Sequence, residues 1–336
     1  MYTTAASLDD LLIKVYRQIL RRGRHIKPSK GDAREITGAL LKLTAPRVRL
    51  SRTESRGNLF SCIGELLWIL AGTNKLDFIQ YYLKDYHEFS DDKKTIFGAY
   101  GPRMFGESPN DQVARVIKQL KAKPVSRQAV IQLFDRTDTL ESHKDIPCTC
   151  TLQLMIREGR LEMIASMRSN DAWLGLPHDV FTFTMLQELI ARSLDVELGA
   201  YMHSVGSLHI YDRHVDKASS YIDEGWQNSE PMSPMPEGDP WPAVAQLISL
   251  EHKVRLAEPS DTDLRLAMAP YWADLATLLM IYKAGRPPAD KNEIARLAGQ
   301  LADDGYRVHI NRRYELSPAA GKKGGFARTH QTKETK

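Results

Sequence analysis

Apolar and polar positions alternate with a period of two in two neighbouring stretches, TLQLMI at 151–156 and LEMIASM at 161–167. The Glu158-Gly159 pair between them marks a hairpin. A polar loop, RSND at 168–171, follows, then LGLPHD and an amphipathic helix over 181–194. A further strand ends in His209 and Tyr211, which share a face because they are two apart. Upstream, Ser7 caps a helix through LDDLLIKVYRQILRR, with Gly23 as its stop. A glycine turn and a strand lead into the arginine-rich PRVRLSRTESR. A helix over 57–71 buries Ile63, Leu66, Leu67 and Leu70 and carries Glu65 within its apolar run. The aromatic segment 75–96, a helix over 111–121 and a strand in AVIQLF complete this half. Downstream, EPMSPMPEGDPWP reads as a surface loop. Helices are predicted at 242–257, 262–283 and 289–303, and YRVHINRRYEL as a strand.

Length and composition narrow the class. At 336 residues, 42% hydrophobic and 26% charged, the chain reads as one or two ordinary globular domains. No apolar run reaches membrane-spanning length. The first residues lack the basic and continuous apolar regions of a signal peptide. Three cysteines make no disulfide framework, so they read as reduced thiols in a cytoplasmic protein. The net charge of +4 has a local origin. From Pro318 onward the chain holds five of the 46 basic residues and one of the 42 acidic ones, leaving 41 of each elsewhere. A basic, glycine-containing tail is usually disordered. The balanced body does not point to nucleic acid, and no membrane partner is expected.

Taken singly, the polar residues have plain readings. A cysteine is most often inert and buried, and Cys148-x-Cys150 lacks the second pair that a metal site needs. A His and a Tyr on a strand are usually structural. Arg47, Arg49, Arg52 and Arg56 read either as an exposed basic loop or as part of a phosphate site.

The order of motifs says more. Pro147-Cys148, Arg168-Ser169-x-Asp171, Leu174-Gly175-x-Pro177-x-Asp179 and His209-x-Tyr211 follow GELLWILAGTN, FGAYGPR and DQ…P.SR. Over residues 57–214 this order resembles the thymidylate synthase family. The resemblance implies an α/β (α+β) fold, a large mixed sheet backed by helices, here with extra C-terminal helices. It implies one catalytic domain over 1–317, with about 218–317 as a helical elaboration and 318–336 as a basic disordered tail. Two subunits would pack through their sheets as a homodimer. The family's usual phosphate-loop pattern is missing from 26–56.

By the same resemblance, Cys148 is the nucleophile that adds to C6 of a pyrimidine, its thiolate favoured by a nearby arginine. Glu65 and Tyr100 organise water and protons. Arg168 and Ser169 contact the nucleotide phosphate, and Arg127 does so from the partner subunit. His209 and Tyr211 bind the sugar, while Asp171 and Gly175 line the site for the cosubstrate 5,10-methylenetetrahydrofolate. Asp179 stands where thymidylate synthases carry Asn. An amide suits uracil, whereas a carboxyl sharing a proton suits the opposite pattern of cytosine. Asp179 also reads as the N-cap of helix 181–194. The change marks the cytidylate 5-hydroxymethylase branch, in which water attacks the exocyclic methylene. Its phage-type members act on dCMP, and those of nucleoside-antibiotic pathways act on CMP. Gln128, Asn170 and Ser207 depart near the phosphate and sugar motifs and favour CMP. Thr149 and His178 depart near the water, where with Glu65 they are expected to orient it. The alternatives are a thymidylate synthase acting on dUMP and a catalytically silent nucleotide-binding homologue.

Overall fold

Ser7 Oγ accepts from the backbone N–H of Asp10, starting α1 (Leu8–Arg22). Asp9 and Asp10 lie in its first turn and Arg21 and Arg22 in its last, each favouring the helix dipole. The computed structural model describes residues 1–53, 58–107, 110–227, 230–258, 265 and 267–316. Arg56, the start of the helix predicted at 262–283 and the basic tail 318–336 lie outside them.

The centre is a seven-stranded mixed sheet. Its strands are β1 (Tyr2–Ala5), β2 (Arg24–Ile26), β3 (Ala33–Leu43), β4 (Val130–Gln132), β5 (Thr149–Arg157), β6 (Arg160–Asp171) and β7 (Glu197–Tyr211). The spatial order is β1-β3-β7-β6-β5-β4, with β2 also on β3. The predicted hairpin joins β5 to β6. Glu158 and Gly159 both take positive φ, 50° and 71°, as a tight two-residue turn requires. β6 and β7 run parallel, so a crossover is needed, and α6 (Gly175–Leu194) supplies it.

Two expectations change here. Residues 168–171 are the end of β6 and not a loop. α6 starts at Gly175, six residues before 181, because Pro177 lies in the first turn, where its missing N–H leaves no helical bond unmade. Asp179 is therefore inside the helix and is not its cap. A third change is at the end of the chain, where YRVHINRRYEL forms a helix at Arg307–Tyr314 and no strand.

The sheet is kinked along one row. Pairing passes from Val205 to Ser207 on β7, from Ala39 to Thr37 on β3 and from Met167 to Ser169 on β6. Gly206, Gly38 and Arg168 are skipped. Gly38 has a φ of +65°, and a Cβ on Gly206 would lie 2.8 Å from the Arg168 carbonyl. The inward alternation shifts phase there: Leu161, Met163, Ala165 and Met167 point to the core, and then Asn170 does. On β7 the inward set is Tyr201, His203 and Val205, then Leu208 and Ile210. Beyond the kink Ser169, Asp171, Ser207, His209 and Tyr211 take the other face.

Helix α6 packs on β6 and β7 and against α2 (Leu59–Leu70) and α5 (Gln112–Ala122). The helices Trp241–Leu256 and Pro270–Ala284 pack on α2 and on each other. The proline-rich connection is partly pinned down, with Met232 and Met235 buried in the same core. Arg49 is fully buried in an ion pair with Glu188 of α6, so it is not part of an exposed loop. No helix among the described residues is long and apolar enough to cross a membrane.

Candidate active site

Cys148 sits at the entry to β5. Arg168, opposite on β6, donates its Nε to the Pro147 carbonyl (2.9 Å) and Nη2 to that of Ile146 (2.8 Å). Its backbone N–H bonds the Cys148 carbonyl at 2.9 Å. Arg168 thus fixes the turn that presents the sulfur, and its side chain stays exposed. The expected lowering of the thiol is present but does not win. Burial pushes Cys148 up to about 11, and Asp179 and Asp145 add to this, against Arg168 and Lys30. The resting group is therefore a thiol.

Tyr100 is next to it. The Tyr100 hydroxyl accepts from the Thr149 N–H at 3.2 Å and from the Thr149 Oγ1 hydroxyl at 2.9 Å. Thr149 is fully buried and committed to this phenol, so it is not the water-facing group that the sequence predicted. Burial raises Tyr100 well above its usual range, and Asp179 and Cys148 add to it, which keeps the phenol protonated.

Glu65, half-buried on α2, accepts from Tyr86 Oη at 3.1 Å and lies 2.6 Å from His178 Nδ1. Ser61 Oγ is 3.3 Å from His178 Nε2. Burial opposes charge on His178, but Cys62 and the Glu65 carboxylate outweigh it and hold the imidazole well above its ordinary range. Glu65 and His178 form an ion pair beside Asp179, which both of them influence. Sequence reasoning missed Tyr86 and Ser61.

Asp179 sits in the first turns of α6. Its Oδ2 accepts from Asn170 Nδ2 at 2.7 Å. Burial pushes the carboxyl up to about 7 and Glu65 adds to it, while Asn170 and His178 pull it down. Asn170 was expected near the sugar; the kink turns it inward to Asp179 instead. Gly175 makes room for this bond, since a Cβ there would lie 2.8 Å from Asn170 Nδ2.

On the other side of the kink, Asp171 pairs directly with His209 across β6 and β7. His209 packs edge-on against Tyr211 at 5.0 Å, and Arg213 lies over the Tyr211 ring at 4.2 Å. Ser169 pairs with Ser207, whose hydroxyl donates to Glu35 on β3. Asp171 Oδ1 accepts from the N–H groups of Trp173 and Leu174 at 2.8 and 3.1 Å. Oδ2 remains for a ligand N–H, beside the half-exposed Leu174 side chain. A carboxylate acceptor beside an apolar side chain can hold a flat ring that carries N–H groups. The fold thus brings Cys148, Arg168, Tyr100, Asp179, Tyr211 and Asp171 together. Arg127 stands apart on the loop before β4, and its guanidinium makes no hydrogen bond or ion pair among the described residues. No group of His, Cys, Asp and Glu that could hold a metal ion occurs among the described residues.

A thymidylate synthase family model matches residues 13–234, which include every residue of this cluster. The chain belongs to the thymidylate synthase family. Among its relatives, the deoxyuridylate hydroxymethyltransferase of Bacillus phage SP01 is 30% identical over 226 residues, covering 63% of this chain and 59% of that protein. The protein of the same name from Pseudomonas phage M6 is 31% identical over 193 residues, covering 56% and 54%. Thymidylate synthase 1 of Bacillus spizizenii is 33% identical over 164 residues, covering 46% and 58%. The chain spans somewhat over half the length of the curated relatives it matches.

Proposed function

We propose that this member of the thymidylate synthase family is a cytidylate 5-hydroxymethyltransferase. It would transfer a one-carbon unit from 5,10-methylenetetrahydrofolate to C5 of CMP, the slightly favoured substrate, or dCMP, and add water to that new carbon. The observation that carries the reading is Asp179, a buried carboxyl pushed up to about 7 and held by a neutral amide. Near neutral pH it offers both a proton and an acceptor. A proton at one oxygen meets N3 of cytosine, and the other oxygen accepts from the 4-amino group.

In this reading the Cys148 sulfur adds to C6 and gives up its proton, and the density at C5 forms the bond to the one-carbon unit. Loss of the C5 proton leaves an exocyclic methylene as tetrahydrofolate departs. Water adds to that methylene, and cleavage of the C6–S bond frees the product and the thiol. Arg168 and Lys30 favour the thiolate when it forms. Tyr100 holds a proton beside C5, and the Glu65–His178 pair orders the attacking water. When bound, the folate supplies the one-carbon unit, with Asp171 Oδ2 and the Gly175 turn as its contacts. His209 and Tyr211 would hold the sugar, and Ser169 and Arg168 the phosphate. Arg127, being exposed, would reach the phosphate of a partner subunit in a homodimer. Residues 1–317 would act as one catalytic unit.

The names of the phage relatives favour a second reading, action on a uridylate. A neutral Asp179 would accept uracil if its proton sat on the oxygen facing C4.

Tritium release from C5-labelled CMP, dCMP and dUMP with methylenetetrahydrofolate, with product masses, separates these readings. Release from a cytidylate with gain of CH2O is expected, and the better sugar decides CMP against dCMP. Release from dUMP alone overturns the assignment, and no release at all points to a silent homologue. Partial activity on mixing the inactive C148A and R127A variants is expected if Arg127 crosses the interface.

A further inference from the structure

Behind Asp179 three polar side chains run in single file into the core. Tyr201 Oη lies 2.7 Å from His203 Nδ1, His203 Nε2 lies 3.0 Å from Asn170 Oδ1, and Asn170 Nδ2 lies 2.7 Å from Asp179 Oδ2. Tyr201 and His203 are fully buried and Asn170 is nearly so. All three point to the core side of the sheet, away from the face that carries His209 and Tyr211. Such positions are normally apolar, and a buried polar file is tolerated only when its members satisfy one another.

With Asn170 Nδ2 on Asp179 and its Oδ1 facing His203, the directions of the other bonds follow. Burial lowers His203 to about 3, so the ring is neutral and carries one N–H. An amide oxygen can only accept, so that hydrogen is on Nε2, and Nδ1 accepts from the Tyr201 hydroxyl. Burial raises the Tyr201 phenol well above its usual range, so it keeps the proton it donates. With its oxygen engaged by His203, Asn170 keeps its NH2 on Asp179. Gly175 leaves the space for it.

We propose that the Tyr201–His203–Asn170 file is a specificity-positioning device: it holds Asp179 Oδ2 as an acceptor, puts the carboxyl proton on Oδ1, and so admits cytosine and refuses uracil. The proposal rests on the reading of Asp179 as the base reader. Cytosine brings an acceptor at N3, which meets the Oδ1 proton, and a donor at its amino group, which takes the second lone pair of Oδ2. Uracil brings N3–H and O4, and would need the proton on Oδ2. The Asn170 N–H already points there, so two donors would face each other. Reversing the file requires rotation of the Asn170 amide together with a change of the His203 tautomer. The uracil-compatible form that a lone carboxyl would have is thereby suppressed. Asn170, His203 and Tyr201 touch no substrate. They act through Asp179.

The test compares kcat/KM for CMP against UMP, and for dCMP against dUMP, in the wild type and in N170L, H203L and H203Q, with thermal melts of each. The wild type is expected to favour the cytidylate. N170L and H203L should lose about tenfold or more of that ratio, mainly by gain on the uridylate. H203Q can still donate to the Asn170 oxygen and should keep the ratio. If the leucine does not fit, N170A only removes atoms and asks the same question. A purely structural role would move the melting midpoint and both substrates together. A wild type that prefers cytidylate, with folded variants of unchanged ratio, overturns the file's role and leaves the reading of Asp179 standing. A wild type that prefers uridylate overturns both.

Discussion

Helix α6 carries one carboxyl in its first turns, Asp179, and another two and a half turns on, Glu188; both are withdrawn from water, yet their settings differ. Glu188 is buried against the guanidinium of a fully buried Arg49 and also accepts from the Met235 N–H at 3.1 Å. It ties the segment after β3, the proline-rich strap and α6 into one piece. Asp179 faces a neutral amide that is itself held by a neutral imidazole. A cation partner fixes a carboxylate as ionised. A neutral donor orients the group and leaves it free to take up or lose a proton. The contrast separates a carboxyl that joins elements from one that reads a base.

The sharpest way to break the comparison is at the reading end. D179N made together with N170L gives the helix an amide that the Tyr201–His203–Asn170 file no longer orients, so its donor and acceptor can turn to suit uracil. Cytidylate kcat/KM should fall and uridylate kcat/KM rise, reversing the preference by about 10³-fold or more in tritium release. An unchanged preference would place base reading elsewhere. Next comes the joining end. R49M strands the Glu188 charge and should lower urea stability by about 3–5 kcal/mol, while R49M with E188L recovers most of it.

The third effect is in pH. Folding raises the Asp179 carboxyl to about 7, from an ordinary 3.8. Its stabilising contribution is therefore full below the unfolded value and is lost as pH rises through about 7. At pH 8 D179N should be more stable than the wild type by up to about 4 kcal/mol, with no advantage left at pH 4. Cytidylate kcat/KM, which needs the proton, should decline above pH 7 in the wild type. The smallest effect lies in acid. Burial lowers His203 to about 3 and His309 to about 4, below the ordinary 6.5 of an imidazole. The unfolded chain takes protons that the native state refuses, so stability should fall as pH drops from about 6.5 towards 4. H309F should remove a share on the order of 1 kcal/mol in urea midpoints compared at pH 7 and 5.

Much of the fold was legible because it follows local rules. The β5–β6 hairpin was written in two alternating runs and a Glu-Gly turn, and α1 in its cap and end charges. The misreadings share one cause, short signals read without their surroundings. Gly175 and Pro177 looked like a loop, but the first turn of a helix has no N–H bonds for a proline to break. The alternation in YRVHINRRYEL covers too few residues to outweigh packing, and His309 and Ile310 bury one side of a helical turn. In the site, the motif residues could be named because they stand in recognisable order. His203, Tyr86 and Ser61 could not, and Asn170 was named but placed near the sugar, since only folding brings these residues to Asp179 and Glu65. A solitary histidine in an alternating strand looks like any core residue.

The kink through Gly38, Gly206 and Arg168 gives the sheet a shared reading frame. Three adjacent strands change phase at the same row, so core positions on one side of it and ligand-facing positions on the other are counted from a common offset. Deleting one residue in any single strand would swing its site residues into the interior while its neighbours kept theirs in place. Away from that row and the site such strands can vary by substitution, but they can gain or lose a residue only in concert.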